Sequence, residues 1–257
     1  MTDEPQNQEP VEETPIEEPI VKSKPIFEPP KVSIETHAGV FNPARIRFMV
    51  YGESGSGKTV FASTWPDPIF LDLDDGMASI DRPVSRIEIT NWQQLQEAYL
   101  YLAYSKHPYR TVVVDSLNES QWQSMQHVIN NFPAIRRAYD NLPSMSDYGK
   151  ALDDFDKFIR YIKSLPLNVV FIAQLAKRED PEEMAQPQFT GKATAQNVSR
   201  MMDVIGYLYK AESPEPVKPR IMTFDASRYV AKDRSGKLPP EIDNPTYAKL
   251  SAYWQAK

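Results

Sequence analysis

The chain is 257 residues long, with 41% apolar and 25% charged residues, a formal net charge of −6 and no cysteine. That length suffices for one large domain with a proper core. The missing cysteines exclude a disulfide scaffold, thiol catalysis and thiolate-bound zinc. The three histidines, His37, His107 and His127, lie far apart, which argues against a multi-histidine metal site.

No apolar run approaches the roughly 20 residues that span a bilayer, and the N-terminus is acidic where an export signal would be basic and then apolar. A soluble, cytoplasmic protein with no membrane partner is expected. Residues 1–35 hold nine acids and three lysines, which accounts for the whole net charge and leaves 36–257 formally neutral. Any nucleic-acid contact must therefore use a local basic patch. The same segment, rich in Pro, Glu and Gln, has too few apolar groups to offset the entropy of ordering, and reads as a disordered tail over 1–35 ahead of a single domain over 36–257.

Beyond the tail, residues 45–51 read as a strand and 58–64 as the start of a helix. Residues 69–73 read as a second strand and 86–89 as a short third. Helical spacing of Trp92, Leu95, Tyr99 and Leu102 marks a helix over 92–104. Residues 111–115 form an almost wholly apolar strand, the pattern of a buried parallel sheet. Helices follow at 119–130 and 148–164, the second with Leu152, Phe155, Ile159 and Ile162 in one stripe. Residues 167–173 are the next strand. The polar stretch 177–191 shows no periodicity, and 193–202 reads as a helix. Consecutive strands are expected at 203–210, 220–224 and 228–231. The whole implies an α/β domain, a mostly parallel sheet flanked by helices with an antiparallel C-terminal extension.

Gly52-Glu53-Ser54-Gly55-Ser56-Gly57-Lys58-Thr59, followed by Val60, matches G-x-x-x-x-G-K-[ST] at every fixed position. Glycines let successive backbone N–H groups point at phosphate oxygens, Lys58 reaches the β- and γ-phosphates, and the Thr59 hydroxyl suits Mg²⁺. The motif follows an apolar strand and opens a helix, the context that gives it meaning. ATP and Mg²⁺ are the implied ligands.

Asp115 ends the apolar strand 111–115, where P-loop enzymes place a carboxylate that holds Mg²⁺. Asp72, Asp74 and Asp75 cluster at the end of the second strand. Alternation puts Asp72 and Asp74 on one side and Asp75 on the other, and Asp74 is the first candidate for the base that orients the attacking water. Gln174 closes the strand before the polar stretch and can sense a γ-phosphate through its amide. Trp92, Tyr99, Tyr101, Tyr104 and Tyr109 cluster, and at helical spacing they suit packing better than base stacking.

In this order the stretches GESGSGKT, IFLDLDDG, VVVDS and VVFIAQ resemble the RecA-type branch of P-loop ATPases. More narrowly, they resemble the phage-encoded RecA-like ATPases that act as single-strand annealing proteins in recombination. The likeness covers about residues 40–240 and implies a RecA-like P-loop NTPase core. It implies Asp74 as catalytic carboxylate, although this chain has Asp where RecA has Glu. It further implies Gln174 as γ-phosphate sensor and 177–191 as a DNA-binding loop with Lys177, Arg178 and Lys192 as phosphate contacts. Lys232 and Arg234 would act in trans on a neighbouring subunit's nucleotide. The implied partners are single-stranded DNA, further copies of the chain in a ring or filament, and a host single-strand DNA-binding protein, in the host bacterial cytoplasm. Another P-loop enzyme (a motor, a helicase loader or a nucleotide kinase using Arg136 and Arg137) and a non-hydrolysing ATP switch remain open at this point.

Overall fold

The computed structural model describes residues 41–255 apart from 44, 133–141, 179, 181–182, 192 and 213–218. The expected tail over 1–35 and the arginine pair 136–137 lie outside the described residues. In chain order the elements are β1 (Arg47–Gly52), α1 (Lys58–Ser63), β2 (Pro68–Asp72), β3 (Ser85–Glu88), α2 (Trp92–Tyr104), β4 (Thr111–Asp115), α3 (Leu117–Asn131), α4 (Met145–Ser164) and β5 (Asn168–Gln174). These are followed by α5 (Thr194–Met201), β6 (Val204–Lys210), β7 (Arg220–Thr223), β8 (Lys232–Asp233), β9 (Glu241–Asp243) and α6 (Tyr247–Gln255).

Among the described residues the strands form one sheet in the order β3-β2-β4-β5-β1-β6-β7-β9, with β8 also on β6. The six strands from β3 to β6 in that order run parallel, and β7, β8 and β9 are antiparallel. One strand, β5, separates β1 from β4, the arrangement of a RecA-like P-loop core.

The central strands are apolar on both faces because helices cover both. Along β1, Met49 and Tyr51 face one core layer, while Phe48 and Val50 face the other. Val112 and Val114 join the first layer and Val113 the second, as the period of two requires. The first layer is filled from α2 and α4 by Leu95, Phe155, Ile159 and Ile162. The second is filled from α1 and α6 by Phe61, Leu250 and Trp254, with Trp65 between them. Each fully buried side chain of this size contributes about 1.5–3 kcal/mol.

α4 begins in a reciprocal cap in which Ser144 and Asp147 each accept from the other's backbone N–H. It starts at Met145 instead of near 148, because the cap adds a first turn that carries no apolar stripe. In α2 the buried stripe is Trp92, Leu95, Ala98 and Leu102, and Tyr99 is only half-buried. No strand forms over the expected 228–231: Tyr229 makes a lone bridge to Ala185, and the short β8 begins only at Lys232. β9 and α6 were not anticipated. α6 packs Tyr247 and Trp254 on Trp65, and the Tyr247 N–H donates to Thr64 Oγ1 at 2.8 Å, so the C-terminal helix buttresses the helix that follows the phosphate loop.

Candidate nucleotide site

The carboxyl ends of β1, β4 and β5 converge on a cleft of about 380 Å³ lined by Lys58, Thr59, Asp74, Asp115, Gln174 and Arg220. Ligand sites of open parallel sheets belong at this edge. β1 leaves the sheet at Gly52, where a Cβ would collide with the Leu208 carbonyl of β6. The loop then enters α1 through Gly57, whose φ of 101° is a left-handed conformation that favours glycine.

Lys58 is buried, at 6% exposure. Its Nζ donates to the carbonyls of Gly52 (2.9 Å) and Glu53 (2.8 Å) and to Gln174 Oε1 (3.2 Å). Burial lowers its pKa, and the charges of Asp115, Asp74 and Glu53 oppose that shift. Thr59 Oγ1 donates to Asp115 Oδ2 at 2.7 Å, which brings the two expected metal ligands together. Burial pushes the Asp115 carboxyl up to about 6, against the Thr59 hydrogen bond and reinforced by the nearby Asp74 charge.

Such a carboxyl is short of positive charge. A divalent cation beside Thr59 and Asp115 would supply it, and both offer the hard oxygen that Mg²⁺ takes. Among the described residues no group of three or more His, Cys, Asp or Glu could hold a metal unaided. The residues therefore fit a cation whose remaining ligands are nucleotide phosphates and water.

The three acids at the end of β2 separate by surroundings. β2 ends at Asp72, so alternation cannot place Asp74 and Asp75. Asp72 is buried, and Arg86 Nη1 of β3 donates to its Oδ2 at 2.8 Å. Asp75 is exposed, has a φ of 51° and shares the same guanidinium at 3.2 Å. Only Asp74 lines the cleft, where Ser116 Oγ donates to its Oδ1 at 3.1 Å. Desolvation raises the Asp74 pKa, Ser116 opposes this, and the Asp72 charge adds to it. Asp74 keeps solvent access, and water screens this push.

Gln174 joins the phosphate loop to the stretch that begins at Leu175. Its backbone N–H donates to Asn118 Oδ1 and its carbonyl accepts from the Gln188 N–H, both at 2.8 Å. Asn118 Nδ2 donates in turn to the Gln188 carbonyl at 2.8 Å. The described part of the stretch 177–191 folds back on the sheet as a hairpin, with 186–188 paired to 174–176. Leu175 bridges Pro187, and the Ala185 carbonyl accepts from both Tyr51 Oη (2.9 Å) and the Val230 N–H (2.8 Å). Polar side chains hid this pairing, because main-chain groups and the Tyr51 hydroxyl make it. Lys177 and Arg178 are exposed near its tip, with Arg178 Nη1 on the Glu183 carbonyl at 3.5 Å, and Lys192 lies outside the described residues.

Lys232 and Arg234 are engaged within their own chain. Lys232 Nζ donates to the carbonyls of Ser199 (3.2 Å), Arg200 (3.4 Å) and Met202 (2.6 Å) at the end of α5. Arg234 pairs with Asp203 Oδ1 at 3.0 Å and donates to the Arg200 carbonyl at 3.3 Å. Both satisfy the carbonyls that a helix end leaves unpaired.

Sequence reasoning missed Ser116, Asn118 and Arg220. The first two follow Asp115 within one turn of α3, and a spacing Asp-Ser-x-Asn after an apolar strand could have drawn attention to them. Arg220 has no such signal. It comes from β7, and its Nε donates to the Ser56 carbonyl at 3.0 Å.

A RecA-like sheet with this loop at its carboxyl edge defines a nucleotide-binding P-loop domain of the ATPase type. A family model described as an AAA domain matches residues 44–235, and the chain belongs to that family. Among solved structures, one titled as an ATPase domain is 12% identical, with a TM-score of 0.45 over 78% of this chain and 81% of its own. No curated protein matches the chain. No described helix is long and apolar enough to cross a membrane.

Proposed function

We propose that this chain is a Mg²⁺-dependent ATPase that assembles on single-stranded DNA and promotes annealing and recombination, in the manner of the phage RecA-like proteins it resembles. The observation that carries the reading is the continuous contact from Lys58 through Gln174 to the 175–191 hairpin. A γ-phosphate arriving at Lys58 competes for the ammonium that Gln174 now accepts from. The amide is then free to turn toward the phosphate, and the hairpin attached to its backbone receives the signal. Lys177 and Arg178 face a cleft of about 620 Å³ shared with Glu53 and Ser54, beside the phosphate loop. Backbone phosphates bound there would give salt-dependent affinity with little base preference.

Asp74 is the proposed base, reaching a water beside the γ-phosphate, with Lys58 stabilising charge on the transferred group. Gly52 to Val60 cradle the nucleotide, and Thr59 and Asp115 hold Mg²⁺. In an assembly of several copies Arg234, half-exposed beside Asp203, is the cation offered to a neighbour's nucleotide, with Lys232 holding the end of α5 beneath it. A host single-strand DNA-binding protein would deliver the DNA. A second reading, an ATP switch that does not turn over, is favoured by the short Asp74 arm tied to Ser116.

The test is anisotropy of a labelled oligonucleotide with and without ATP, for wild type and Gln174→Ala. ATP should tighten DNA binding by wild type and leave the variant unchanged. Equal ATP responses from both would remove the proposed relay.

A further inference from the structure

β6 and β7 pair so that Lys210, the last residue of one strand, lies opposite Arg220, the first of the other. This end of the hairpin stands over the phosphate loop. A Cβ on Gly57 would run into the Arg220 guanidinium, and one on Gly55 would come within 3.8 Å of Lys210 Nζ. Arg220 is held firmly in place. Its N–H donates to Asn244 Oδ1 at 3.1 Å, its carbonyl accepts from the Asn244 N–H at 2.6 Å, and its Nε donates to the Ser56 carbonyl at 3.0 Å.

These bonds leave both terminal amino groups of Arg220 without a partner among the described residues. Lys210 Nζ also has no hydrogen-bond or ion-pair partner there. A guanidinium with its fork unused, half-buried in a phosphate cleft beside a second cation, is suited to an anion.

Position along the loop says which part of the anion. Lys58 folds back to the Gly52 and Glu53 carbonyls and to Gln174, which marks the γ-phosphate end under the P-loop reading. Arg220 touches Ser56 and Gly57, and the cleft continues past it to Val60. We infer that Arg220, assisted by Lys210, binds in cis to the α- and β-phosphates of the bound nucleotide, the part shared by ATP and ADP. The antiparallel extension is then a functional arm of the site. It clamps the nucleotide from the edge opposite Gln174 and retains the diphosphate after hydrolysis.

The inference rests on nucleotide binding by the phosphate loop, so Lys58→Ala and wild type are measured beside the variants. Calorimetric titration of the full chain with Mg-ATP and Mg-ADP should show Arg220→Gln weakening both by about tenfold, with their ratio unchanged. Arg220→Lys should recover only part of that loss, since it keeps the charge and not the fork, and Lys210→Gln should cost about threefold. Thermal melts establish that each variant is folded. A lowered melting temperature with unchanged affinities would make Arg220 a structural brace only and overturn the proposal. Loss for ATP alone would place the guanidinium on the γ-phosphate and overturn the assignment. Weakened oligonucleotide binding with unchanged nucleotide affinity would reassign the two cations to DNA. Failure of wild type to bind any nucleotide would overturn the P-loop reading itself, an outcome distinct from all of these.

Discussion

Lys58 Nζ lies 3.2 Å from Gln174 Oε1, so the phosphate-binding lysine and the last side chain of β5 form one hydrogen-bonded pair. The same ammonium is the donor to two loop carbonyls, which links loop shape, nucleotide charge and the strand that leads to the 175–191 hairpin. Lys58→Ala removes the donor at the centre of this arrangement. The variant should fold, because the Gly52 carbonyl keeps the Leu175 N–H at 3.1 Å and Glu53 is exposed to water, and its Mg-ATP affinity should fall by at least about a hundredfold. Calorimetric titration checks this.

Gln174→Ala separates sensing from binding. The glutamine contacts the lysine through its side chain but the hairpin through its backbone. ATP affinity should change by less than about threefold, since the amide exchanges one hydrogen bond to a charged group, the Lys58 ammonium, for another, the γ-phosphate. The ATP-induced change in hairpin protection, read by hydrogen exchange over residues 175–191, should disappear.

The acids at the end of β2 divide into structure and chemistry. Asp72→Ala deprives Arg86 of its buried partner, and stability should fall by about 1–2 kcal/mol while the nucleotide site persists. Asp74→Asn should leave the melting temperature and ATP affinity near wild type and lower turnover by about a hundredfold. The reverse pattern in chemical denaturation and steady-state turnover would exchange their roles.

Asp115 makes metal-free stability depend on pH. Its folded pKa of about 6 lies above the ordinary 3.8, so the folded state holds the proton more tightly than the unfolded one. The associated stability is fully present below about pH 4 and is lost as pH rises through about 6, at most about 3 kcal/mol from this group. Asp115→Asn should flatten that slope in denaturant titrations with chelator present. It should also weaken Mg-ATP binding, because the amide cannot replace a carboxylate beside a cation.

The parallel core was legible because its strands are apolar on both faces, and 111–115 and 167–173 admit no other reading. The phosphate loop was legible for a different reason: its chemistry fixes residue types at fixed spacing. Element starts set by caps, such as Met145, were less so, since a cap turn is polar. The hairpin after Gln174 was hidden because main-chain bonds and the Tyr51 hydroxyl hold it, and neither leaves periodicity. Arg220 was invisible for a topological reason. It reaches Ser56 by strand pairing across 164 residues, and no local spacing records that approach. The trans role of Lys232 and Arg234 came from the resemblance alone, and in the structure both cations close the end of α5 within their own chain.

The most direct test of the central claim is ATP turnover by the purified full-length chain, with and without single-stranded DNA, with Lys58→Ala as control. Turnover that rises strongly with DNA and vanishes in the variant is the predicted result. ATP binding without any response of turnover to DNA would contradict the recombination account and favour the non-hydrolysing switch.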